Sequence, residues 1–250
     1  MKLIHYSILE KAAFDNGFDR QQATVGNWLV FTSTQSPLGL WLTVDSDQRL
    51  YAALSLDHVA RALGDYGQAA VIDLPAGAVA CLTVVDNAAM HRLVRRAFQL
   101  SRALPDAPLQ RYKQRTAAMP ASTEAERLVI QRVGQDIFRE GLLSYWQERC
   151  AVTGLGVPRL LMASHIKPWA HCQEDAERLD VYNGLLLAPH LDAVFDRGFV
   201  SFGDDGALLI SSRLDGEACR ILGLHGGLRL DRLTDGHRYY LQWHRDKVFE

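Results

Sequence analysis

The sequence predicts an α+β protein of two domains, a small N-terminal α+β domain and a larger C-terminal one. Stretches of helical periodicity alternate with strand-like runs of branched and aromatic residues, and the chain contains no internal repeat. A length of 250 residues with 48% hydrophobic side chains suffices for two cores. Residues 106–122 contain prolines and show little apolar periodicity. We therefore predict domains at 1–105 and 123–250, joined by a linker at 106–122.

The N-terminal domain is predicted to hold a short helix, an antiparallel meander of three strands, a helix, a strand and a longer helix. Turn residues separate the strands of the meander, and Asn87 is the candidate cap of the last helix. These elements begin, in order, near Ser7, Trp28, Leu38, Leu50, Asp57, Val79 and Asn87.

Four aromatic residues of the predicted meander allow two interpretations: Trp28, Phe31, Trp41 and Tyr51. They form the core of the sheet, which is the favoured interpretation, or they form a cage for a flipped or modified base. No catalytic motif is recognised before residue 120.

Charge excludes some classes of protein and indicates a local DNA-binding surface. The 27 basic and 29 acidic residues give a net charge of −2, which excludes a histone-like tail or a strongly cationic coat. Between Arg92 and Arg139, ten basic residues outnumber four acidic ones. Arg111, Lys113 and Arg115 of this stretch are candidate contacts to DNA phosphates. The alternative is a solvated helix face followed by a polar linker.

Cysteine usage and hydropathy predict a cytoplasmic protein. The four cysteines lie far apart without a CxxC pair, which argues against a disulfide framework. The N-terminus lacks the apolar core of a signal peptide, and no later run reaches the roughly 20 apolar residues that span a bilayer. We therefore expect a reducing compartment and no membrane partner.

The C-terminal domain is predicted to contain a strand–loop–strand–helix unit behind a long helix. Ser122 or Thr123 caps the long helix, and a break at Gly141 is left open. His165 ends the first strand, Asn183 starts the second and Asp192 lies in the short helix, at separations of eighteen and nine positions. Because the hairpin and the helix of such a unit pack on each other, the three side chains can meet in one cleft, as in a ββα-metal nuclease. A hairpin around 203–206 and a closing helix follow.

Several motifs of this domain, CAVTG, ASHIKPW, NGLLLAPHLDAVFDRG and SFGDDG, together resemble the HNH endonuclease family. The similarity is to a restriction-endonuclease-like branch with C-V-T-G, S-H-I-x-P-W and N-G-L-L-L signatures, and it runs from about Thr123 to Phe249. It implies a ββα-metal nuclease domain with flanking helices that acts on DNA. It also implies that residues 1–105 select the DNA.

The resemblance implies a role for each of the three converging residues. His165 is the general base, which suits an imidazole because its pKa lies near neutral pH. Asn183 either orients this histidine or binds the metal directly, and Asp192 replaces the family's third histidine as a metal ligand. A carboxylate with an amide oxygen favours Mg²⁺ or Mn²⁺ over zinc.

The sequence departs from the family pattern at two places. Ser164 stands where many relatives have an acid or a histidine that binds metal, so His190 and Asp196 are candidates to complete the ligand set. For Asp196 a structural role is the favoured interpretation. Relatives often bind a structural zinc through two CxxC pairs, whereas Cys150 has no such partners, and no structural zinc is expected. Lys167 is a candidate phosphate contact; the alternative is that it shapes the loop after the strand.

The predicted function is that of a metal-dependent HNH endonuclease of restriction type. One version of this prediction is an enzyme that cuts only DNA carrying a modified base. One alternative is a catalytically impaired HNH-fold protein that binds DNA or acts as a regulatory protein. Another is a non-specific toxin nuclease. A single ββα site cuts one strand at a time, so a double-strand break would call for a homodimer.

Overall fold

The computed structural model describes residues 3–250, and Met1 and Lys2 of the predicted N-terminal domain lie outside this range. The chain divides into two compact units, Met1–Ala107 and Pro108–Glu250. Helices accompany antiparallel sheets in both, so the predicted α+β class is confirmed. In the described part of the chain, no helix combines the length and the apolar character needed to cross a bilayer.

The first unit is built on a six-stranded antiparallel sheet in the order β1-β2-β3-β4-β6-β5. The helices α1 and α3 contact the sheet, and the three predicted meander strands are its centre. The elements are α1 Leu3–Phe14, β1 Arg20–Val25, β2 Trp28–Thr32, β3 Leu40–Val44, β4 Leu50–Leu54, α2 Asp57–Arg61, β5 Gln68–Ala69, β6 Ala80–Val84 and α3 Asn87–Ala103.

The four aromatic residues of the meander lie on opposite faces of the sheet. Phe31 is fully buried and meets Phe14 of α1 edge to face, at 5.8 Å between ring centroids. Trp41 belongs to a core cluster on the other face, against which Trp28 and Tyr51 pack. A cage of four aromatic side chains is therefore wrong, because alternate residues of a strand point to opposite faces.

Two features of the first unit depart from the predicted elements. Strand β1 was not anticipated, because its sequence RQQATV is exposed throughout and shows no apolar alternation; it forms by edge pairing with β2. The cap of α3 is Asp86 rather than Asn87, since the Asp86 side chain accepts the backbone N–H of Ala89.

The predicted linker at 106–122 is helical over Asp106–Thr116, which we call α4. Pro108 lies in its first turn, where backbone N–H groups have no partner within the helix, so the proline does not interrupt it. Tyr112 is buried and lies near Gly134. This apolar contact explains a helix that the weak periodicity did not reveal.

The second unit consists of a long helix, a two-stranded hairpin followed by a helix, a second hairpin and two C-terminal helices. The strands β7 and β8 pair antiparallel, with His165 opposite Gly184, and β9 pairs with β10. The elements are α5 Glu124–Tyr145, β7 Met162–His165, α6 Asp175–Leu179, β8 Gly184–Leu187, α7 Pro189–Asp196, β9 Val200–Phe202, β10 Leu208–Ile210, α8 Gly216–Leu222 and α9 Asp235–Lys247.

Helix α5 runs without a break. Thr123 caps it through a capping box with Glu126. The break left open at Gly141 is absent; instead, a Cβ at this position would approach Val181 Cγ1 to 3.0 Å. Gly141 therefore allows Val181 to pack closely against α5. It does not mark the end of the helix.

Candidate active site

The side chain of His165 is fixed at the end of β7 by stacking and by one hydrogen bond. Its ring stacks on Phe138 of α5, at 3.8 Å between centroids, and meets the edge of Trp169. Nε2 lies 2.9 Å from the backbone oxygen of Arg178. Because a carbonyl only accepts hydrogen bonds, Nε2 carries the proton and Nδ1 keeps its lone pair.

Burial decides the protonation state of this histidine. Desolvation lowers the pKa of His165 to about 4, although the bond to the Arg178 carbonyl acts in the opposite direction. The imidazole is therefore neutral at pH 7, which is the form that accepts a proton. A neutral ring can accept a proton, but a pKa of about 4 makes it a weaker base than an ordinary imidazole, so the expected pKa near neutral pH is corrected.

Asn183 is fully buried and holds the loop between the two strands. Its Oδ1 accepts the backbone N–H of Lys167 at 2.8 Å, and its Nδ2 donates to the carbonyls of Lys167 and Glu177 at 3.2 and 3.1 Å. The amide oxygen is thus used by the loop, and the expectation of a direct metal ligand is corrected. Asn183 binds the carbonyl of Glu177, the residue before the Arg178 carbonyl that meets His165.

Two carboxylates line the same cleft as His165, a cavity of about 380 Å³. Asp192 and Asp196 lie one turn apart on α7, and both line the cleft. The hydroxyl of Ser164 donates to Asp192 Oδ1. Partial desolvation, together with the negative charge of Asp192, raises the pKa of Asp196 to about 6. Asp196 is therefore part of the cleft, whereas the sequence argument favoured a purely structural role.

His190 does not belong to this cleft. It is exposed at the start of α7, two residues before Asp192. Residues two apart on a helix differ by about 200° in direction, so they face opposite sides. The structure therefore does not bring His190 together with Asp192 in the cleft.

The candidate DNA contacts fall into two groups. Lys167 is only 8% exposed and its Nζ lies 2.9 Å from both carboxylate oxygens of Glu177, so the expected phosphate contact is corrected to a role within the loop. Arg111 forms an ion pair with Glu140. Lys113 and Arg115 are exposed near the end of α4, and they lie in the same unit as the cleft.

Some residues of the cleft carry no signal in the sequence. His244 of α9 lines the cleft although it lies 79 positions after His165. It stacks on Phe195 at 4.0 Å between centroids, and its Nδ1 lies 3.0 Å from Ser201 Oγ. Burial lowers the pKa of His244 to about 4. Only packing of the C-terminal helix brings this ring to the site.

The carboxylates of the cleft fit a hard divalent cation. Among residues 3–250, no group of three His, Cys, Asp or Glu side chains is arranged to hold a metal ion. Mg²⁺ is commonly bound by one or two carboxylates, with water and substrate phosphates completing its shell. Asp192 and Asp196 match this pattern, since the two negative charges lie close enough for one to raise the pKa of the other.

Comparison with known proteins agrees with this arrangement. Residues 150–203 match the family described as HNH endonuclease, and this segment contains β7, the loop, β8, α7 and β9. No curated protein matches the chain. The resemblance seen in the motifs is therefore confirmed for residues 150–203. This match supports a nuclease.

Proposed function

We propose that the protein is a divalent-metal-dependent endonuclease that hydrolyses phosphodiester bonds of DNA, of the restriction type. The observation that carries the proposal is the single cleft lined by neutral His165 and by Asp192 and Asp196. A proton acceptor and carboxylates that can hold a divalent cation are groups that metal-assisted phosphodiester hydrolysis uses.

The residues of the cleft divide the chemistry between them. His165 Nδ1 accepts the proton of the attacking water, while the Arg178 carbonyl holds the proton on Nε2. Asp192, fixed by Ser164, and Asp196 would hold Mg²⁺ or Mn²⁺. Such an ion, when bound, stabilises negative charge on the phosphate and on the leaving oxygen. Asn183 and the loop that it binds hold the His165 ring in position.

DNA would be held by residues outside the cleft. The exposed Lys113 and Arg115 support contacts to phosphates that are independent of sequence. We assign the selection of DNA, including a modified base as one option, to the first unit. A cytoplasmic location is consistent with the cysteines of residues 3–250, which are free thiols.

The first experiment compares DNA substrates and metal ions. The purified protein is incubated with unmodified plasmid, plasmids carrying methylated or hydroxymethylated cytosine or methylated adenine, and single-stranded DNA, each with Mg²⁺, Mn²⁺ or EDTA. We expect metal-dependent cleavage of one modified substrate, lost in His165→Ala. Cleavage of every substrate would favour the toxin alternative. Binding without any cleavage would favour the impaired DNA-binding protein.

The products of the same assay report on assembly. Nicked plasmid is the product expected from a single site. A linear product without a nicked intermediate would call for two copies, and sedimentation of the protein with and without DNA would then test the homodimer.

A further inference from the structure

The loop between β7 and β8 contains a partly buried ion pair, Lys167–Glu177, whose residues do not line the cleft. Lys167 Nζ contacts both carboxylate oxygens of Glu177 at 2.9 Å, and Glu177 also accepts the backbone N–H of Gln173 at 2.8 Å. The two side chains are 10% and 22% exposed. Ion pairs at the protein surface are worth little because both partners remain hydrated, whereas this one is held in a fixed geometry.

The pair connects the start of the loop, next to His165, with helix α6. Lys167 is the second residue after His165, and Glu177 directly precedes Arg178. The Arg178 carbonyl accepts the Nε2 hydrogen of His165. Any movement of the main chain at Glu177 therefore moves the atom that selects the tautomer of His165.

The amide of Asn183 does not make this ion pair redundant. Asn183 binds the carbonyl of Glu177, but the Arg178 carbonyl belongs to the next residue and turns with the main chain between them. The Glu177 side chain, held by Lys167 and Gln173, restricts that rotation. The neutral amide and the ion pair thus constrain different parts of the same segment.

We infer that the Lys167–Glu177 ion pair is a positioning device for the general base. It holds the Arg178 carbonyl where the proton of His165 stays on Nε2 and Nδ1 remains the base. Lys167 and Glu177 are positioning residues and do not touch the substrate. This inference rests on the proposed nuclease function, which assigns the base role to His165.

The test is a double-mutant cycle of Lys167→Met, Glu177→Gln and the two combined. Each single variant leaves one buried charge without its partner, which is more disruptive than removing both. We expect Glu177→Gln to lower kcat about 10–100-fold, as loss of such supporting groups does, with KM for DNA unchanged. The double variant should lose less than the product of the two single losses.

A spectroscopic measurement separates positioning from general damage. Long-range ¹⁵N–¹H NMR spectra report the tautomer of His165, and we expect the Nε2–H form in the wild type and a mixture in Glu177→Gln. Asp175→Asn is the matched control, because it removes the more exposed ion pair of Asp175 with Arg178 on the same short helix. This control should keep the wild-type tautomer and kcat.

Two outcomes would overturn the inference. One is a folded Glu177→Gln variant with the wild-type tautomer; the other is kcat within about twofold of wild type, a change no larger than ordinary non-additivity. If Glu177→Gln fails to fold, Lys167→Arg, which keeps the charge but alters its geometry, is measured in the same way. The tautomer is observable without cleavage, so failure of the nuclease proposal leaves this test intact.

Discussion

The two sides of the cleft are constructed differently. The His165 side is held by the rings of Phe138 and Trp169 and by a loop carbonyl. On the α7 side, Asp192 is held by the Ser164 hydroxyl, and desolvation, together with the Asp192 charge, raises the pKa of Asp196. Protein groups alone thus hold the candidate base His165 in position. The two carboxylates repel each other, and a bound cation would balance their charge. Packing therefore fixes the His165 side of the cleft, whereas charge dominates the side formed by Asp192 and Asp196.

Removing the base tests the organised side and has the largest expected effect. His165→Ala should reduce cleavage by on the order of 10²–10⁴-fold, because the proposed proton acceptor is lost, while DNA binding persists. Plasmid cleavage and fluorescence anisotropy with labelled DNA measure the two quantities. The control is His171→Ala, at an exposed histidine of the same loop. Unchanged cleavage by His165→Ala would refute the assignment of the base.

Removing one carboxylate tests the electrostatic side. Asp192→Asn should raise the metal concentration for half-maximal cleavage about tenfold or more, because a ligand contributes at least as much as the groups that support it. Asp196→Asn should act in the same direction. Titration of cleavage with Mg²⁺ measures the shift, with the exposed Asp246→Asn as control. An identical Mg²⁺ requirement in Asp192→Asn would remove it from the ligand set.

A second buried histidine shows whether a lowered pKa distinguishes the site. His237 is fully buried against Tyr145, Trp146 and Tyr182, and desolvation, with the charges of Arg232 and Arg238, lowers its pKa to about 3. Between pH 3 and 6.5 the unfolded chain binds the proton that the folded chain excludes. Stability is therefore complete above pH 6.5 and falls as the pH decreases.

The expected loss from His237 is about 2 kcal/mol between pH 6.5 and pH 5, at about 1.4 kcal/mol per pH unit. Urea unfolding at pH 7.5 and pH 5.0 measures it, and His237→Gln should show a smaller difference between the two pH values. An equal difference in both proteins would mean that other groups cause the acid sensitivity. A lowered histidine pKa is thus a result of burial and is not by itself a sign of catalysis.

The smallest effect is expected at the hydrogen bond of Ser164. Ser164→Ala removes the hydroxyl that orients Asp192, and a hydrogen bond of this kind contributes about 1 kcal/mol, equivalent to about fivefold in metal affinity. Mg²⁺ titration of cleavage measures the change, with the exposed Ser212→Ala as control. A loss as large as that of Asp192→Asn would show that the α7 side is as tightly organised as the base.

Local sequence signals predicted the elements that carry the site. The order strand, loop, strand and helix from 162 to 196 is confirmed, because strand and helix signals are local there and turn residues bound them. The same argument missed α4, since its stability comes from burial of Tyr112 and not from a regular apolar stripe. Strand β1 was missed because an exposed edge strand needs no apolar alternation.

Residue types in the motifs indicated the family and a candidate base, but not the direction of each side chain. His190 and Asp192 are two positions apart, and only the rotation of α7 separates an exposed side chain from one in the cleft. Lys167 has the residue type of a phosphate contact, and only the position of Glu177 reveals its ion pair.

The sequence by itself determined the α+β class, the HNH motif and the candidate base, because these depend on short-range pattern and residue type. Only the tertiary structure decided that Asn183 secures the loop, that Asp196 joins the cleft and that His244 lines it. Such assignments depend on which groups meet after the chain has packed. Hydrogen bonding and desolvation act over a few ångströms in space, whatever the separation of the residues along the chain.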